Sequence, residues 1–352
     1  MTALTYLGVF FAVLIQSYAQ TAPTVLQMTA PAFPQTIVDP GFRPAFAIDF
    51  RRKEVTAMTV QPDGKILVHL SGQDEKTGNS TGTLLRLNSD GSADATFSFL
   101  GVTNLAGLTS DPLVQPDGKI LLGAVEATTE HRSGGGIVRL NADGSLDTTF
   151  NPLTGGEGIR TILLQADGKV VAGGIYVSID GRGELIVARF ETDGRPDVAF
   201  NTRSAEMQVE ADALAQQLDG KLLVAARYIR CNTDASECRY SPSLFRLNRD
   251  GSRDMSFSPV VEGQFFGMSI LALVLQADGK ILLGGYLGCV NGILRPGVAR
   301  LNPDGSLDES FNNTGAFTFN PTRLWLRSQG KPGVYLLANR SLVRAEHGWF
   351  CR

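Results

Sequence analysis

The sequence has few of the residues that most often carry catalysis or metal binding. Its 352 residues include 3 His and 4 Cys. None of the histidines, at positions 69, 131 and 347, stands in a metal-spaced pair or beside a recognisable nucleophile motif. We therefore assign no catalytic residue and no metal ligand from the sequence.

The chain also lacks an excess of either charge and, after its first residues, a long apolar run. It has 32 Lys plus Arg against 35 Asp plus Glu, for a net charge of −3, so no basic field attracts nucleic acid or an anionic membrane. Beyond Ala19 no segment approaches the roughly eighteen apolar residues of a membrane helix. We expect no nucleic-acid partner, and no membrane insertion once a signal segment is removed.

The amino terminus resembles an export signal. An apolar stretch from Tyr6 to Ile15 is followed by Ser17-Tyr18-Ala19, which predicts a signal peptide over residues 1–19 and a linker over residues 20–36. The segment has no Lys or Arg before its apolar core, so an uncleaved anchor is the alternative, although the run is short for spanning. The predicted location is secreted or in the cell envelope.

One motif recurs along most of the chain. A Gln-x-Asp-Gly-Lys sequence begins at residues 61, 115, 165, 217 and 276, and Ser328-Gln329-Gly330-Lys331 is a worn sixth copy. A fixed period of this length is typical of propellers and solenoids. Each Asp-Gly lies between two apolar runs, which predicts a hairpin turn with Gly at positive φ.

Each repeat continues with a third predicted strand that contains one arginine, and then with an Asp-x-x-Phe motif. The arginines are Arg86, Arg139, Arg189, Arg246, Arg300 and Arg344. The aspartates are Asp39, Asp94, Asp147, Asp197, Asp254 and Asp308. A second Asp-Gly turn precedes most of the Asp-x-x-Phe motifs, so we predict a fourth, outer strand there. The repeats are predicted over residues 54–98, 107–151, 157–201, 209–258, 267–312 and 321–346.

The two ends of the repeat region are complementary. The sixth copy stops after Arg344 without an Asp-x-x-Phe motif, whereas Asp39 to Phe42 supplies one ahead of the first copy. We predict an all-β, six-bladed β-propeller over residues 37–346, with four-stranded antiparallel blades. A closing strand over residues 37–44 pairs with the C-terminal blade, and residues 347–352 form a tail. An open β-solenoid is the alternative.

These motifs resemble the delta-60 repeat family of bacterial exported β-propeller proteins, which has the same order of Gln-Pro-Asp-Gly-Lys, Gly-Gly, Ala-Arg-Leu-Asn and Asp-Gly-Ser-Leu-Asp-x-x-Phe. The likeness is strongest over Asp278 to Phe311 and weaker in the first copy, where His69-Leu70 replaces Gly-Gly. The resemblance implies an architecture and brings no catalytic residues.

The repeated charges are predicted to be framework. A binding or catalytic site on one ring normally occurs once, whereas a buried Arg can hold a neighbouring carboxylate and the following Phe can fill space between sheets. The stretch Asn141–Asp147 superficially resembles a calcium loop, but it lacks the acidic first position and the bidentate acid at position twelve. We expect no cofactor, and weak calcium binding is the alternative.

The cysteines allow two disulfides. Cys231 and Cys238 lie in one loop and can close a small ring in an oxidising compartment. Cys289 and Cys351 could tie the C-terminal tail to the fifth repeat. Sequence alone permits three pairings, and free thiols are the alternative in a reducing compartment.

The variable loops between the second and third strands are the expected binding surface. We predict a monomeric binding or scaffolding module whose partner is an unknown protein or carbohydrate. The candidate ligand contacts are Tyr176, Arg182, Tyr228, Arg230, Arg239, Tyr286 and Arg295. A propeller hydrolase or lactonase with a metal in the central channel is one alternative, but the inner strands 55–60 and 161–164 are largely apolar. A purely structural segment of a surface assembly is the other.

Overall fold

A computed structural model describes most of the repeat region. The described residues are 53–73, 78–108, 111–129, 133–150, 154–155, 159–179, 184–200, 209–231, 238–262, 269–311, 324–327 and 335–338. They contain β-strands and no helix, so the all-β prediction is confirmed over this part of the chain. No helix within these ranges is long and apolar enough to cross a membrane.

The strands form antiparallel sheets that follow the order of the repeats. Sheet one contains β1 (Lys53–Val60), β2 (Ile66–Gln73) and β3 (Ser80–Leu87). Sheet two contains β4 (Val102–Leu108), β5 (Leu113–Val114), β6 (Ile120–Thr129) and β7 (Ser133–Leu140). Sheet three contains β8 (Thr154–Gly155), β9 (Ile159–Leu164), β10 (Val170–Ile179) and β11 (Glu184–Phe190).

The remaining strands continue this order. Sheet four contains β12 (Val209–Gln216), β13 (Leu222–Cys231) and β14 (Cys238–Leu247). A small side sheet contains β15 (Val261–Glu262), β18 (Cys289–Val290) and β19 (Ile293–Leu294), and sheet five contains β16 (Ile270–Leu275), β17 (Ile281–Gly285) and β20 (Val298–Leu301). In the sixth repeat, β21 (Leu324–Arg327) pairs with β22 (Tyr335–Ala338).

The first Asp-Gly of each described repeat is the predicted hairpin turn. In the first repeat, Gln61 N donates to Lys65 O at 2.8 Å, and Gly64 has a φ of 84° that favours glycine. The carboxylate of Asp63 accepts from the backbone N–H of Lys65 at 3.1 Å, which closes an Asx turn. The repeated hairpins are therefore confirmed.

The segment predicted as a fourth strand pairs through a single bridge in each of the five described repeats, so four-stranded blades are not confirmed and stay a prediction. After the third strand the chain pairs back through one bridge, as in Leu140↔Leu146, and the same bridge recurs at Leu87↔Ala93, Phe190↔Pro196, Leu247↔Arg253 and Leu301↔Leu307. The next residue is the repeat aspartate, whose carboxylate accepts the backbone N–H two residues later. This turn ends the strand as soon as it has begun.

Each sheet is apolar on both faces, so the core lies between consecutive sheets. On β6, Ile120 and Leu122 face sheet one, whereas Leu121 packs with sheet three. This alternation follows the two-residue period of a strand and explains why the second strands read as continuous apolar runs.

The first strands of neighbouring sheets lie side by side, and β12 contacts both β9 and β16. The predicted closing strand over residues 37–44 and its pairing with the repeat of Arg344 lie outside the described residues. Six blades and ring closure therefore stay predictions.

Candidate functional site

The repeat aspartates lie at the centre of a cluster that recurs in five repeats. In the second repeat, Asp147 Oδ2 accepts from Arg139 Nε at 2.7 Å and from Lys119 Nζ at 2.8 Å, and the side chains of Arg139 and Asp147 are 8% and 4% exposed. The same contacts join Asp94, Asp197, Asp254 and Asp308 to the arginine and the first-turn lysine of their own repeats, at 2.7 to 2.8 Å. The lysine of the Gln-x-Asp-Gly-Lys motif is therefore the second partner of each aspartate.

The repeat phenylalanine completes this cluster. The guanidinium of Arg139 lies 4.4 Å from the ring centroid of Phe150, and the other four arginines stack on their phenylalanines at 4.4 to 4.8 Å. Such cation–π contacts add to the ion pair when both groups are shielded from water. The arginine is thus fixed by a carboxylate at its edge and a ring at its face.

The same arginines connect one repeat to the next. Arg139 Nη1 donates to the backbone carbonyl of Thr192, in the second turn of the third repeat, at 2.6 Å. Equivalent bonds run from Arg86 to Ala142, from Arg189 to Arg249 and from Arg246 to Pro303, at 2.6 to 2.9 Å. Because these contacts recur, they describe framework and do not mark a ligand site.

The pKa of each of the five described repeat aspartates lies below its ordinary value. Burial alone would raise the pKa of Asp147, but the hydrogen bonds from Lys119, Thr149 and Arg139 outweigh that effect and lower it. For Asp94 the hydrogen bond from Lys65 is the largest cause of the lowered pKa. These carboxylates are ionised and fully engaged at neutral pH.

The second turns hold their aspartates with hydrogen bonds from the chain itself. Asp143 Oδ1 accepts from Ser145 N at 3.0 Å and from Ser145 Oγ at 2.7 Å. No group of three or more His, Cys, Asp or Glu side chains that could hold a metal occurs in the described ranges. Weak calcium binding stays an untested alternative.

A second set of charged residues occurs once in the part of the chain that the structure describes. Arg160 of β9, Glu210 and Asp212 of β12, Arg227 of β13 and Ser269, just before β16, meet where the first strands begin; we call them the charged cluster. Its members come from three successive repeats and are brought together because β12 lies between β9 and β16.

The two arginines of the charged cluster share the two carboxylates. Arg227 donates to Glu210 Oε2 from Nε at 2.8 Å and from Nη2 at 2.7 Å, and its Nη2 is 3.4 Å from Asp212 Oδ1. Arg160 approaches Glu210 Oε2 and Asp212 Oδ1 at 3.3 Å each. Arg227 Nη1 also donates to Ser269 Oγ at 3.1 Å, which joins the cluster to the fifth repeat.

β-Bulges place Arg160 and Asp212. The register between β12 and β13 shifts between Ala211 and Ala213, so Asp212 is the extra residue, and Arg160 is the extra residue on β9. The bulge recurs at Thr56 and Leu271, each seven residues before the aspartate of the first turn. The bulge is therefore a repeated feature of the framework. The charged side chains at the bulge positions, Arg160 and Asp212, are specific to this site.

The charged cluster is incompletely satisfied, as are the glutamines of the first turns, where Oε1 of Gln61, Gln115, Gln165 and Gln276 is buried without a partner among the described residues. Asp212 Oδ2 and Arg160 Nε are buried and have no hydrogen-bond partner among the described residues. Burial raises the pKa of Asp212 above its ordinary value, against the opposing charges of Arg227 and Arg160 and a hydrogen bond from the Ser269 side chain. The site therefore offers one unused acceptor and one unused donor.

His69 has a structural environment. Its Nε2 is 3.0 Å from the carbonyl oxygen of Leu105 in the second repeat and its Nδ1 is 2.6 Å from Thr56 Oγ1, so Nε2 donates and Nδ1 accepts. Burial lowers the pKa of His69. Gly82 leaves room for the ring, since a Cβ there would lie 2.8 Å from His69 Nε2. His69 thus joins sheet one to sheet two.

Three of the predicted contact residues have described side chains, and whether they form one binding surface stays a prediction. Tyr228 packs against the core between sheets three and four, on the face of β13 opposite to Arg227. Tyr286 is half-buried, and Arg295 is 8% exposed with Nη1 donating to the carbonyl of Leu294 at 3.0 Å. The side chains of Tyr176, Arg182, Arg230 and Arg239 lie outside the described residues.

The cysteine predictions are tested only in part. Cys289 is disulfide-bonded, and its predicted partner Cys351 lies outside the described residues. Cys231 and Cys238 are directly opposite in the register of β13 and β14, a spacing at which two Cα atoms can be bridged. Their side chains are not described, so this disulfide stays a prediction.

The sequence analysis does not predict the charged cluster, because the inner strands 55–60 and 161–164 are largely apolar. The available signal was Val209-Glu210-Ala211-Asp212, with acidic residues two apart at the start of a first strand. Its counterpart was Arg227, in a second strand that is otherwise apolar from Leu222 to Ala226.

Comparison with known proteins gives the family. Residues 61–97, 115–150, 165–200, 217–257 and 276–311, just over half of the chain, match the family model described as a domain of unknown function (DUF5122) beta-propeller. The chain belongs to this family. The DUF5122 match supports a β-propeller repeat protein and leaves the delta-60 resemblance as a prediction. No curated protein sequence matches the chain.

Several solved structures resemble this DUF5122 chain weakly. The mannose phosphorylase MPT-4 from Leishmania mexicana has a TM-score of 0.37 and 14% identity, covering 72% of this chain and 85% of that one. Hydrazine synthase from Kuenenia stuttgartiensis has a TM-score of 0.40 and 15% identity, covering 82% and 46%. An endo-1,4-beta-xylanase from Bacteroides thetaiotaomicron has a TM-score of 0.32 and 13% identity, covering 68% and 87%. At such scores the likenesses carry no argument about substrate or activity.

Proposed function

We propose that this protein is a secreted or envelope-associated binding β-propeller whose ligand contacts the end of the sheets where the first strands begin. The observation that carries the proposal is the charged cluster, which occurs once among the described residues and keeps there a buried donor and a buried acceptor without partners. The repeated clusters, in contrast, use their charges to hold the framework.

The register of sheet four supports the choice of this end. Glu210 is opposite Arg227, and Tyr228 is opposite Val209, so the outer part of the β13–β14 hairpin extends beyond the charged cluster. Arg230 and Arg239 are paired further along this hairpin. A ligand at the cluster would therefore meet the variable loop over residues 228–242.

The proposal includes a closed ring of six blades. Each arginine bonded across a repeat boundary contacts the second turn of the next repeat, which a ring would continue from the sixth repeat to the first. In such a ring Arg344 would pair with Asp39. Closure would fix the first strands around a central channel with the charged cluster at its mouth.

A hydrolase is the second candidate, favoured by the unequal environments of Glu210 and Asp212. Glu210 accepts two close hydrogen bonds from Arg227, whereas burial raises the pKa of Asp212. Acid–base hydrolysis uses a pair of carboxylates whose surroundings differ in this way. A metal-dependent version would need ligands from outside the described residues.

The test is a glycan and surface-protein array probed with the mature chain, with the D212N variant and with a chain in which loop 228–242 is replaced. We expect a partner whose binding weakens in both altered chains. The matched control is D117N, because Asp117 is an exposed turn aspartate far from the cluster in sequence. A binder indifferent to D212N would contradict the proposed site, and the absence of any binder would favour a purely structural role.

A further inference from the structure

The two unused atoms of the charged cluster define what a ligand must supply. Asp212 Oδ2 is an acceptor and Arg160 Nε is a donor, and neither has a partner among the described residues. The side chain of Asp212 is 6% exposed, so bulk water does not solvate its carboxylate freely. Buried polar atoms are nearly always bonded to protein, ordered water or ligand. The site therefore calls for a group that both donates and accepts.

The charges of the cluster favour a neutral ligand. With Glu210 and Asp212 ionised, they balance Arg160 and Arg227. An anion would add negative charge beside two carboxylates whose arginine partners are already in use, and a cation would meet two guanidinium groups. A neutral group avoids both repulsions.

A hydroxyl is a group that can serve an acceptor and a donor through one oxygen, since it donates one hydrogen bond and accepts others. Arg160 Nη1 already lies 3.3 Å from Asp212 Oδ1, so the unused atoms belong to side chains that are in contact. The convergence of two carboxylates and two guanidinium groups suits a ligand with several hydroxyls.

We propose that the charged cluster binds the hydroxyl groups of a neutral sugar, an inference that rests on the proposed binding function and names its ligand class. The hydroxyl donates to Asp212 Oδ2 and accepts from Arg160 Nε. Arg160 is the most exposed of the four charged side chains, at 33% against 15%, 12% and 6%. The ligand therefore enters on the side of Arg160, and a rotamer change of Arg160 uncovers the two buried atoms.

The first experiment titrates the mature chain with the methyl glycosides of glucose, galactose, mannose and xylose, and with glucuronate and glucosamine as charged comparisons. We expect at least one neutral glycoside to bind, with D212N and R160M each weakening it about tenfold to a hundredfold, as for loss of a hydrogen bond to a charged group. D117N should bind as the unaltered chain does. R160M is included because Arg160 is a third exposed and its replacement should disturb the fold less than that of Asp212. The thermal midpoint of every variant is measured in parallel, so that a loss of binding can be separated from unfolding.

The second experiment identifies the hydroxyl. Deoxy analogues of the glycoside that binds are compared on the unaltered chain and on D212N. The deoxy position that weakens binding to the unaltered chain should have little further effect on D212N, because the same hydrogen bond is already lost.

The inference is overturned if no neutral glycoside binds, if a charged comparison binds more tightly, or if D212N and R160M bind as well as D117N. Array binding that is lost in D212N would then preserve the proposed function with a different ligand class. If the array also showed no binding that D212N weakens, the proposed binding function would be contradicted together with the sugar ligand.

Discussion

Each repeat aspartate is a junction between several groups. Asp147 accepts from Lys119 and Arg139 at Oδ2, and from the backbone N–H and hydroxyl of Thr149 at Oδ1. One carboxylate thus joins the first turn, the third strand and the Asp-x-x-Phe turn of its repeat. This explains why Lys, Arg and Asp recur together in the sequence.

Arg139 provides the residue-scale test of this junction. Replacing it with Met leaves Asp147 buried with one fewer cation and frees the carbonyl of Thr192, so R139M should destabilise the protein by about 3–5 kcal/mol. The measurement is urea unfolding. The control is R195M, because the Arg195 side chain is 81% exposed and its loss should leave the urea midpoint nearly unchanged. Equal midpoints for R139M and R195M would contradict the assigned role.

At the scale of strands and turns, the sequence pattern and the structure differ in the outer strand. The second Asp-Gly turn suggested a complete fourth strand, but the Asx turn at each repeat aspartate diverts the chain after one bridge. The bulges in the first strands were also missed, because a bulge leaves no gap in the apolar pattern. The Asx turn and the bulge both depend on which backbone N–H and C=O groups are hydrogen-bonded.

At the scale of the whole molecule, the arginine bonds make each repeat depend on the next. Four of these bonds link the described repeats in series. If the ring closes, the amino-terminal segment supplies the missing Asp-x-x-Phe motif, Asp39 to Phe42, to the last repeat.

Deleting residues 37–44 tests closure. If the ring closes as proposed, the loss of Asp39 and its strand should destabilise residues 321–346 more than the preceding repeats, because Arg344 would lose the carboxylate of Asp39. Hydrogen exchange measured by mass spectrometry follows each repeat separately. Deletion of eight residues within the linker 20–36 is the control. Uniform exchange across all repeats in both deletions would argue against the closing strand.

The five described repeat aspartates predict the acid response of the whole molecule. Their pKa values are lowered by folding, so the unfolded chain binds more protons as pH falls below the ordinary aspartate value of about 3.9. Their stabilisation should be fully present above about pH 5 and be lost progressively towards pH 2.

Urea midpoints measured from pH 6 to pH 2 check this expectation, with D147N compared with D117N. D147N should be less stable at pH 6 and lose less stability on acidification, because it lacks one of the titrating junctions. An acid response of D147N as steep as that of D117N would contradict this account.

The sequence by itself determined the repeat, its hairpin turns and the all-β class, because these follow from local turn chemistry and from apolar runs that any one repeat displays. Tertiary structure decided the charged cluster. Arg160, Glu210, Arg227 and Ser269 stand far apart in the chain, and they meet only because β12 packs between β9 and β16. Asp212 joins them because a bulge turns its side chain out of the ladder, and burial by neighbouring repeats leaves its second oxygen without a partner among the described residues.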